Sequence, residues 1–94
     1  MKLTVSKEAA NWFKTEMDLQ DGEFVRFVVK LYGGIPTVHR DYYLGLSIGK
    51  EESIAISTVV EGITFYFSQQ DAWFLEDYRL KVDLKDDDVE YIFE

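Results

Sequence analysis

The sequence predicts one small domain, residues 1–94, that is mainly β with two helices, an α+β fold with a sandwich or barrel-like form. Apolar and polar residues alternate in most segments, which is the period of half-buried strands. Only two segments place apolar residues at spacings of three and four, as a helix does. These segments do not alternate with the strands as in a doubly wound parallel sheet. Short strands rich in aromatic residues are typical of compact sandwiches and barrels.

The strongest strand signal lies at Phe24–Tyr32 and ends at a glycine pair. Its residues are β-branched or aromatic almost throughout, and one of its faces is entirely apolar. Gly33 and Gly34 allow positive φ angles, and Pro36 biases Ile35 toward an extended backbone. We therefore expect Gly34 to adopt a conformation that only glycine tolerates, in an exposed loop that follows a rigid strand.

The remaining predicted elements are short. The other predicted strands are Lys2–Val5, Tyr42–Ile48, Ile63–Ser68, Arg79–Leu84 and Val89–Phe93. Ser53–Val60 is apolar and β-branched but weakly patterned, and we predict an extended segment that is not a regular strand throughout. The last two strands should pair as a hairpin, as should the two segments on either side of Glu61 and Gly62. The predicted helices are Lys7–Met17, with Ser6 as N-cap, and about Gln69–Tyr78, where Ser68 begins a weakened capping box. A charged turn is predicted at Gly49–Glu52.

The net charge of −8 is unevenly distributed. Residues 1–47 hold six basic and six acidic side chains, whereas residues 48–94 hold four basic and twelve acidic ones. This balance argues against nucleic-acid binding, which needs clustered Lys and Arg. The acidic half is either a solvated surface that aids solubility or a docking face for a basic partner. We find no apolar run of the length of a signal peptide or membrane span, so we expect a cytoplasmic protein without membrane contact.

The sequence contains little that indicates catalysis. It has no cysteine, so no thiolate can act as a nucleophile or metal ligand, and its single histidine is His39. His39 and Asp41 together supply only half of a metal site. We therefore expect a protein that is not an enzyme, with no catalytic, cofactor-binding or metal-ligating residues. The candidate site is the loop after the strongest strand, and its residues are Tyr32, Gly33, Gly34, His39, Asp41 and Tyr43.

In its order of motifs the chain resembles the HesB-like family, which includes the A-type iron–sulfur carriers. The motifs are Leu3-Thr4, Val25-Arg26-Phe27, Gly33-Gly34 and Gly62-Ile63-Thr64-Phe65, followed by the terminal strands. The resemblance implies a small HesB-like β-sandwich or barrel. The carriers have a cysteine directly after the glycine pair, where this chain has Ile35, and a Cys-Gly-Cys near the C-terminus, which this chain lacks. Clusters are held chiefly by thiolates. The chain is therefore most similar to a short, cysteine-less branch whose members are labelled iron–sulfur biosynthesis proteins.

Two functional hypotheses remain open at this point. The first, implied by the resemblance, is a non-catalytic accessory or regulatory binding module linked to iron–sulfur cluster biosynthesis. Its partner would be a protein of the iron–sulfur assembly machinery, and it would carry no cofactor. A homodimer is also open, because a small domain without disulfides gains stability when it buries more apolar surface. The alternative is a small-molecule or metal-binding protein that uses the Gly33–Tyr43 loop.

Overall fold

The computed structural model describes residues 1–50 and 53–94. In chain order, the elements are β1 (Leu3–Val5), α1 (Lys7–Glu16), β2 (Phe24–Lys30), β3 (Ile35–Pro36), β4 (Tyr43–Ile48), β5 (Ile54–Val60), β6 (Ile63–Ser68), β7 (Leu80–Lys85) and β8 (Asp88–Phe93). The prediction of a small, mainly β domain is confirmed. Within the predicted turn at Gly49–Glu52, Glu51 and Glu52 lie outside the described residues.

The strands form two sheets that each mix parallel and antiparallel pairs. The three-stranded sheet has the order β1-β7-β8, and the five-stranded sheet has the order β3-β4-β2-β6-β5. Both predicted hairpins are confirmed, since β5 pairs with β6 and β7 pairs with β8, each antiparallel. The parallel pairs are β1 with β7 and β2 with β6. β1 also runs close to β5, so the edges of the two sheets meet there.

The helix α1 packs its apolar stripe onto the sheets. The Ala9 N–H donates to Ser6 Oγ at 3.1 Å, which confirms the predicted N-cap. Ala9, Ala10 and Phe13 are buried on one stripe. The helix ends at Glu16, one residue before the predicted end. No helix in the described part of the chain has the length and apolarity that a membrane crossing requires.

Phe27 on β2 lies at the centre of the core. Its ring stacks on Phe67 of β6 at 5.5 Å between centroids and on Phe65 at 6.4 Å. Tyr91 of β8 meets the Phe27 ring edge-on at 6.5 Å. The inner face of the five-stranded sheet therefore packs against β8, while Phe13 of α1 contacts Phe65 from the helix side. Each fully buried ring of this kind contributes about 1.5–3 kcal/mol through the hydrophobic effect.

The predicted second helix, Gln69–Tyr78, is reduced to a single 3-10 turn at Ala72–Leu75. Ser68 belongs to β6, so the capping box that should have started the helix does not form. Asp71 precedes the turn and makes no capping hydrogen bond, because its carboxylate faces Arg26 instead. The prediction of two helices was therefore wrong in this segment, where a tertiary contact replaces the local cap.

Candidate functional site

The predicted loop begins with an exposed apolar tip. β2 ends at Lys30, two residues before its predicted end, so Leu31 and Tyr32 lie outside the strand. Their side chains are 61% and 84% exposed. Gly33 and Gly34 then turn the chain with φ angles of 55° and 128°. Large apolar side chains at a tip of this kind are available for contact with another molecule.

Gly34 confirms the prediction of a conformation that favours glycine. Its φ is positive, and a Cβ built on it would lie 2.6 Å from the backbone oxygen of Leu44. Real side chains do not come this close to a backbone oxygen. The close approach exists because β3 pairs antiparallel with β4, with Ile35 opposite Leu44. This two-residue strand lies inside the segment that was predicted to be a loop.

After β3, a compact hydrogen-bonded turn is built around Thr37. The Thr37 Oγ1 accepts the His39 N–H at 3.0 Å and lies 2.9 Å from the carbonyl oxygen of Tyr42 and 3.0 Å from that of His39. Because a hydroxyl has one proton, it donates to one of these carbonyls at a time. The Tyr42 N–H also donates to the His39 carbonyl at 3.3 Å. The turn fixes the direction in which the His39 side chain extends from the backbone.

His39 packs into a group of rings that we call the aromatic cluster, formed by His39, Tyr42, Trp73, Phe74 and Tyr78. The His39 ring lies 4.7 Å from Phe74 and 5.4 Å from Tyr78. Tyr42 meets Trp73 edge-on at 5.3 Å. Edge-on and tilted pairs are the favoured arrangements of aromatic rings. Trp73 is 44% exposed, so the cluster presents part of its surface to solvent.

A nearly buried ion pair anchors the segment that carries Trp73 and Phe74. Arg26 Nη2 on β2 lies 3.4 Å from Asp71 Oδ2 and donates to Ser68 Oγ at 3.1 Å. The same Asp71 oxygen accepts the Val29 N–H at 3.3 Å. The side chains of Arg26 and Asp71 are only 16% and 11% exposed. These contacts tie the chain after β6 to β2.

The six predicted site residues do not converge on one point. His39 joins the aromatic cluster, Tyr32 lies at the tip, and Asp41 is exposed on the turn. Tyr43 is half-buried on β4, opposite Lys30 of β2. Among the described residues, no three His, Asp or Glu side chains form a group that could hold a metal ion, and no pocket is present. The arrangement fits contact through an exposed surface better than enclosure of a small ligand.

Sequence reasoning missed the part of the site that comes from the 3-10 turn. The helix predicted at Gln69–Tyr78 would place Phe74, Leu75 and Tyr78 on its apolar stripe and Trp73 at the border of that stripe. The available signal was the density of aromatic residues directly after Asp71, but the sequence does not show that these rings meet His39. The core position of Phe74 is confirmed, because its ring is buried, but a regular helix gives no reason for this ring to meet His39.

The β7–β8 hairpin carries a separate concentration of negative charge. The Leu84 N–H donates to Asp83 Oδ1 at 2.8 Å, and this bond, with one from the Ser6 side chain, lowers the pKa of the Asp83 carboxyl. Burial raises the pKa of Tyr91 to about 12, and the charge of Asp88 adds to this effect. Residues 86–94 contain five acidic side chains and no basic one.

This chain is similar to a known protein of nearly the same length. No protein-family model and no solved structure matches the chain. The chain is 34% identical over 94 residues to the pyruvate dehydrogenase inhibitor of Bacillus subtilis, in an alignment that covers 100% of this chain and 98% of the relative. The chain belongs to the family of this inhibitor. All strands and helices described above therefore lie within the aligned region.

Two staphylococcal proteins are also similar over nearly their whole length. One from Staphylococcus saprophyticus is 28% identical over 95 residues, with 97% of each chain covered. One from Staphylococcus epidermidis is 29% identical over 97 residues, with 99% of this chain and 97% of the relative covered. Both are called uncharacterized proteins. None of these names mentions a HesB fold or iron–sulfur biosynthesis, so that resemblance stays a prediction.

Proposed function

We propose that this protein is a non-catalytic binding protein that inhibits pyruvate dehydrogenase. The observation that carries the proposal is the end-to-end similarity to the Bacillus subtilis pyruvate dehydrogenase inhibitor, at 34% identity. Alignment over all of this chain and 98% of the relative argues that the two proteins share a fold, and not only one short motif.

The exposed surface of the loop region supports a protein target. Leu31, Tyr32 and Trp73 are large apolar or aromatic side chains with 61%, 84% and 44% of their surface exposed. Aromatic residues are enriched at the centres of protein–protein interfaces, where they account for much of the binding energy. Inhibition through such a surface requires binding alone, which agrees with the prediction of a protein that is not an enzyme.

For the scaffold, we retain the HesB-like sandwich as a proposal. Its support is the glycine turn at Gly33 and Gly34 and the meeting of the two sheets where β1 runs close to β5. The partner we propose differs from the iron–sulfur assembly proteins that the resemblance implies. With Ile35 after the glycine pair and no cysteine in the chain, the family's cluster ligands have no counterpart here. A cytoplasmic location stays part of the proposal.

A titration of purified pyruvate dehydrogenase tests the proposed function. The purified protein is added in increasing amounts while pyruvate-dependent reduction of NAD⁺ is followed, and complex formation is measured in parallel by analytical ultracentrifugation. We expect activity to fall in proportion to the fraction of enzyme that is bound. We also expect the extent of inhibition to be independent of preincubation time once binding is complete.

The Bacillus subtilis inhibitor serves as the positive control on the same enzyme preparation. If that relative inhibits and this protein neither binds nor inhibits at the same concentrations, the proposed function is wrong. Inhibition that continues to grow with time at an amount far below that of the enzyme would indicate catalytic modification, and would contradict the non-catalytic part of the proposal.

A further inference from the structure

The outer edge of β8 presents backbone groups that no other strand uses. Arg79 and Glu94 exchange both of their backbone hydrogen bonds, at 3.0 and 2.9 Å. In an antiparallel pair such bonded positions recur at every second residue. Given the register, the β8 residues that direct their N–H and C=O groups toward β7 are Asp88, Glu90, Ile92 and Glu94. The residues between them are Val89, Tyr91 and Phe93. Their N–H and C=O groups therefore point to the outer edge of the sheet, on the side opposite β7.

A local hydrogen bond supports this assignment. The Val89 N–H donates to Asp88 Oδ1 at 2.9 Å, as expected for an N–H that does not face β7. In the described part of the chain, no strand pairs with the outer edge of β8, and no hydrogen bond reaches the outward N–H and C=O groups of Tyr91 and Phe93. Unpaired groups of this kind form a template on which another extended chain can pair.

The other sheet edges are less suitable for strand addition. β3 has only two residues, and one of them is Pro36, which has no N–H to donate. β1 has three residues, and the edges of β1 and β5 meet. With six residues, β8 is the longest edge that remains accessible among the described strands.

The side chains along this edge are strongly acidic. The five acidic residues of the segment 86–94 are Asp86, Asp87, Asp88, Glu90 and Glu94. Among the described residues, none of their carboxylates forms an ion pair with a basic side chain. Two of these carboxylates have basic residues of the neighbouring strand opposite them, since Lys85 lies opposite Asp88 and Arg79 lies opposite Glu94. Glu90 instead lies directly opposite Asp83 of β7, where like charges are unfavourable. A cation placed on the outer side of Glu90 would relieve this repulsion.

We propose that β8 binds an extended, basic segment of a partner protein, which pairs with the outer edge as an additional strand. The outward N–H and C=O groups of Tyr91 and Phe93 supply the main-chain hydrogen bonds. Alternate Lys or Arg side chains of the segment lie beside Asp88, Glu90 and Glu94 on the same face, which also carries Ile92. The intervening side chains are apolar and lie on the face of Val89, Tyr91 and Phe93, which packs toward the core.

A second copy of this chain is a poor occupant of the same edge. Antiparallel pairing of two β8 strands about a two-fold axis would place the carboxylates of both copies on one face, interrupted only by Ile92. Like-charge contacts across an interface disfavour association. The charge pattern therefore selects a basic partner over self-association. The inference goes beyond inhibition of pyruvate dehydrogenase, because it defines the partner by its chemistry and its test needs no enzyme.

A labelled synthetic peptide of alternating Lys and Val residues is the probe. Its binding is followed by fluorescence anisotropy at about 20 and 300 mM NaCl, between which screening becomes much stronger. We expect Glu90→Lys to weaken binding at least about tenfold, because it places like charges together. The matched control is Glu16→Lys, an exposed position on α1 with the same change of charge, for which we expect less than about a threefold effect. Equal effects of the two variants, or no binding of the peptide, would overturn the inference.

Two further measurements test strand pairing itself. We expect the peptide to slow hydrogen exchange of the Tyr91 and Phe93 amides, which face outward, and to leave the Ile92 amide unchanged. A peptide with the same charges but an N-methyl group on every backbone nitrogen should not bind, because neither of its edges can pair with β8. Binding without slower exchange at Tyr91 and Phe93 would show that charge alone attracts the peptide. A dimer of the free protein in which these two amides are already protected would show that a second copy is the occupant. Either result would overturn the inference.

Discussion

At the scale of single residues, Gly34 shows how a backbone conformation and a close contact act together. Its φ of 128° is rare for side chains with a Cβ, and an added Cβ would meet the Leu44 carbonyl at 2.6 Å. We expect Gly34→Ala to destabilise the protein by about 1–3 kcal/mol, from strained backbone and the displaced contact with β4. The urea midpoint of unfolding, followed by far-UV circular dichroism, measures the effect.

The neighbouring glycine is the matched control for this prediction. Gly33 also has a positive φ, 55°, but an added Cβ there would have no atom within 4 Å. Gly33→Ala should therefore cost only the backbone preference, about 1–2 kcal/mol, and less than Gly34→Ala. Equal shifts of the urea midpoint in the two variants would mean that the contact with Leu44 adds nothing.

At the scale of elements, the Arg26–Asp71 pair joins β2 to the segment that carries Trp73. Asp71→Asn keeps the size of the side chain but removes the charge that faces Arg26. Because the two contacts of Asp71 are long, 3.4 and 3.3 Å, we expect a loss near the lower end of about 1–3 kcal/mol. We also expect the tryptophan fluorescence, to which Trp12 and Trp73 both contribute, to shift, because the aromatic cluster around Trp73 loses its anchor.

Asp77→Asn provides the control for that variant. Asp77 is exposed in the same segment, so the substitution changes the net charge equally and leaves the anchor intact. Surface changes of this kind usually alter stability by less than about 0.5 kcal/mol. If the two variants have the same urea midpoint and the same fluorescence, Asp71 does not hold the segment in place.

The elements that the sequence predicted well are those whose signal is local. The strands β2, β6 and β8 each have one wholly apolar face with a period of two, and α1 has both a stripe and a cap at Ser6. The elements that were missed depend on distant partners. The pair Ile35 and Pro36 is too short to have a period and becomes β3 only because β4 lies beside it.

The same physical limit explains which part of the candidate site was found. Gly33 and Gly34 were predictable, because glycine allows positive φ and the X-Pro dipeptide that follows restricts the backbone, and both effects are local. The contacts of His39 with Phe74 and Tyr78 were not, because residues far apart in sequence create them. The outward edge of β8 likewise depends on the order of strands in the sheet, which periodicity does not determine.

At the scale of the whole molecule, net charge and size together set the response to salt. The chain carries 18 acidic and 10 basic side chains, and its extents are 33 × 31 × 25 Å. At 0.01 M salt the Debye length of about 30 Å spans the molecule, so every excess negative charge repels the others. At 0.1 M it falls to about 10 Å, which confines the repulsion to near neighbours.

We therefore expect the urea midpoint to rise as NaCl increases from about 10 to 300 mM, because screening relieves self-repulsion in the folded state. Screening also weakens the surface ion pairs Lys7–Glu61 and Lys14–Asp21, which lowers the urea midpoint, but such pairs contribute only about 0–1 kcal/mol each.

The double variant Asp86→Asn with Asp87→Asn removes two of the eight excess charges. Both positions have positive φ, 53° and 66°, which Asn tolerates well. Its midpoint should rise less with salt than that of the native chain. A midpoint that falls with salt would mean that attractive pairs dominate, and an equal rise in both proteins would exclude the β7–β8 turn as a source of the repulsion.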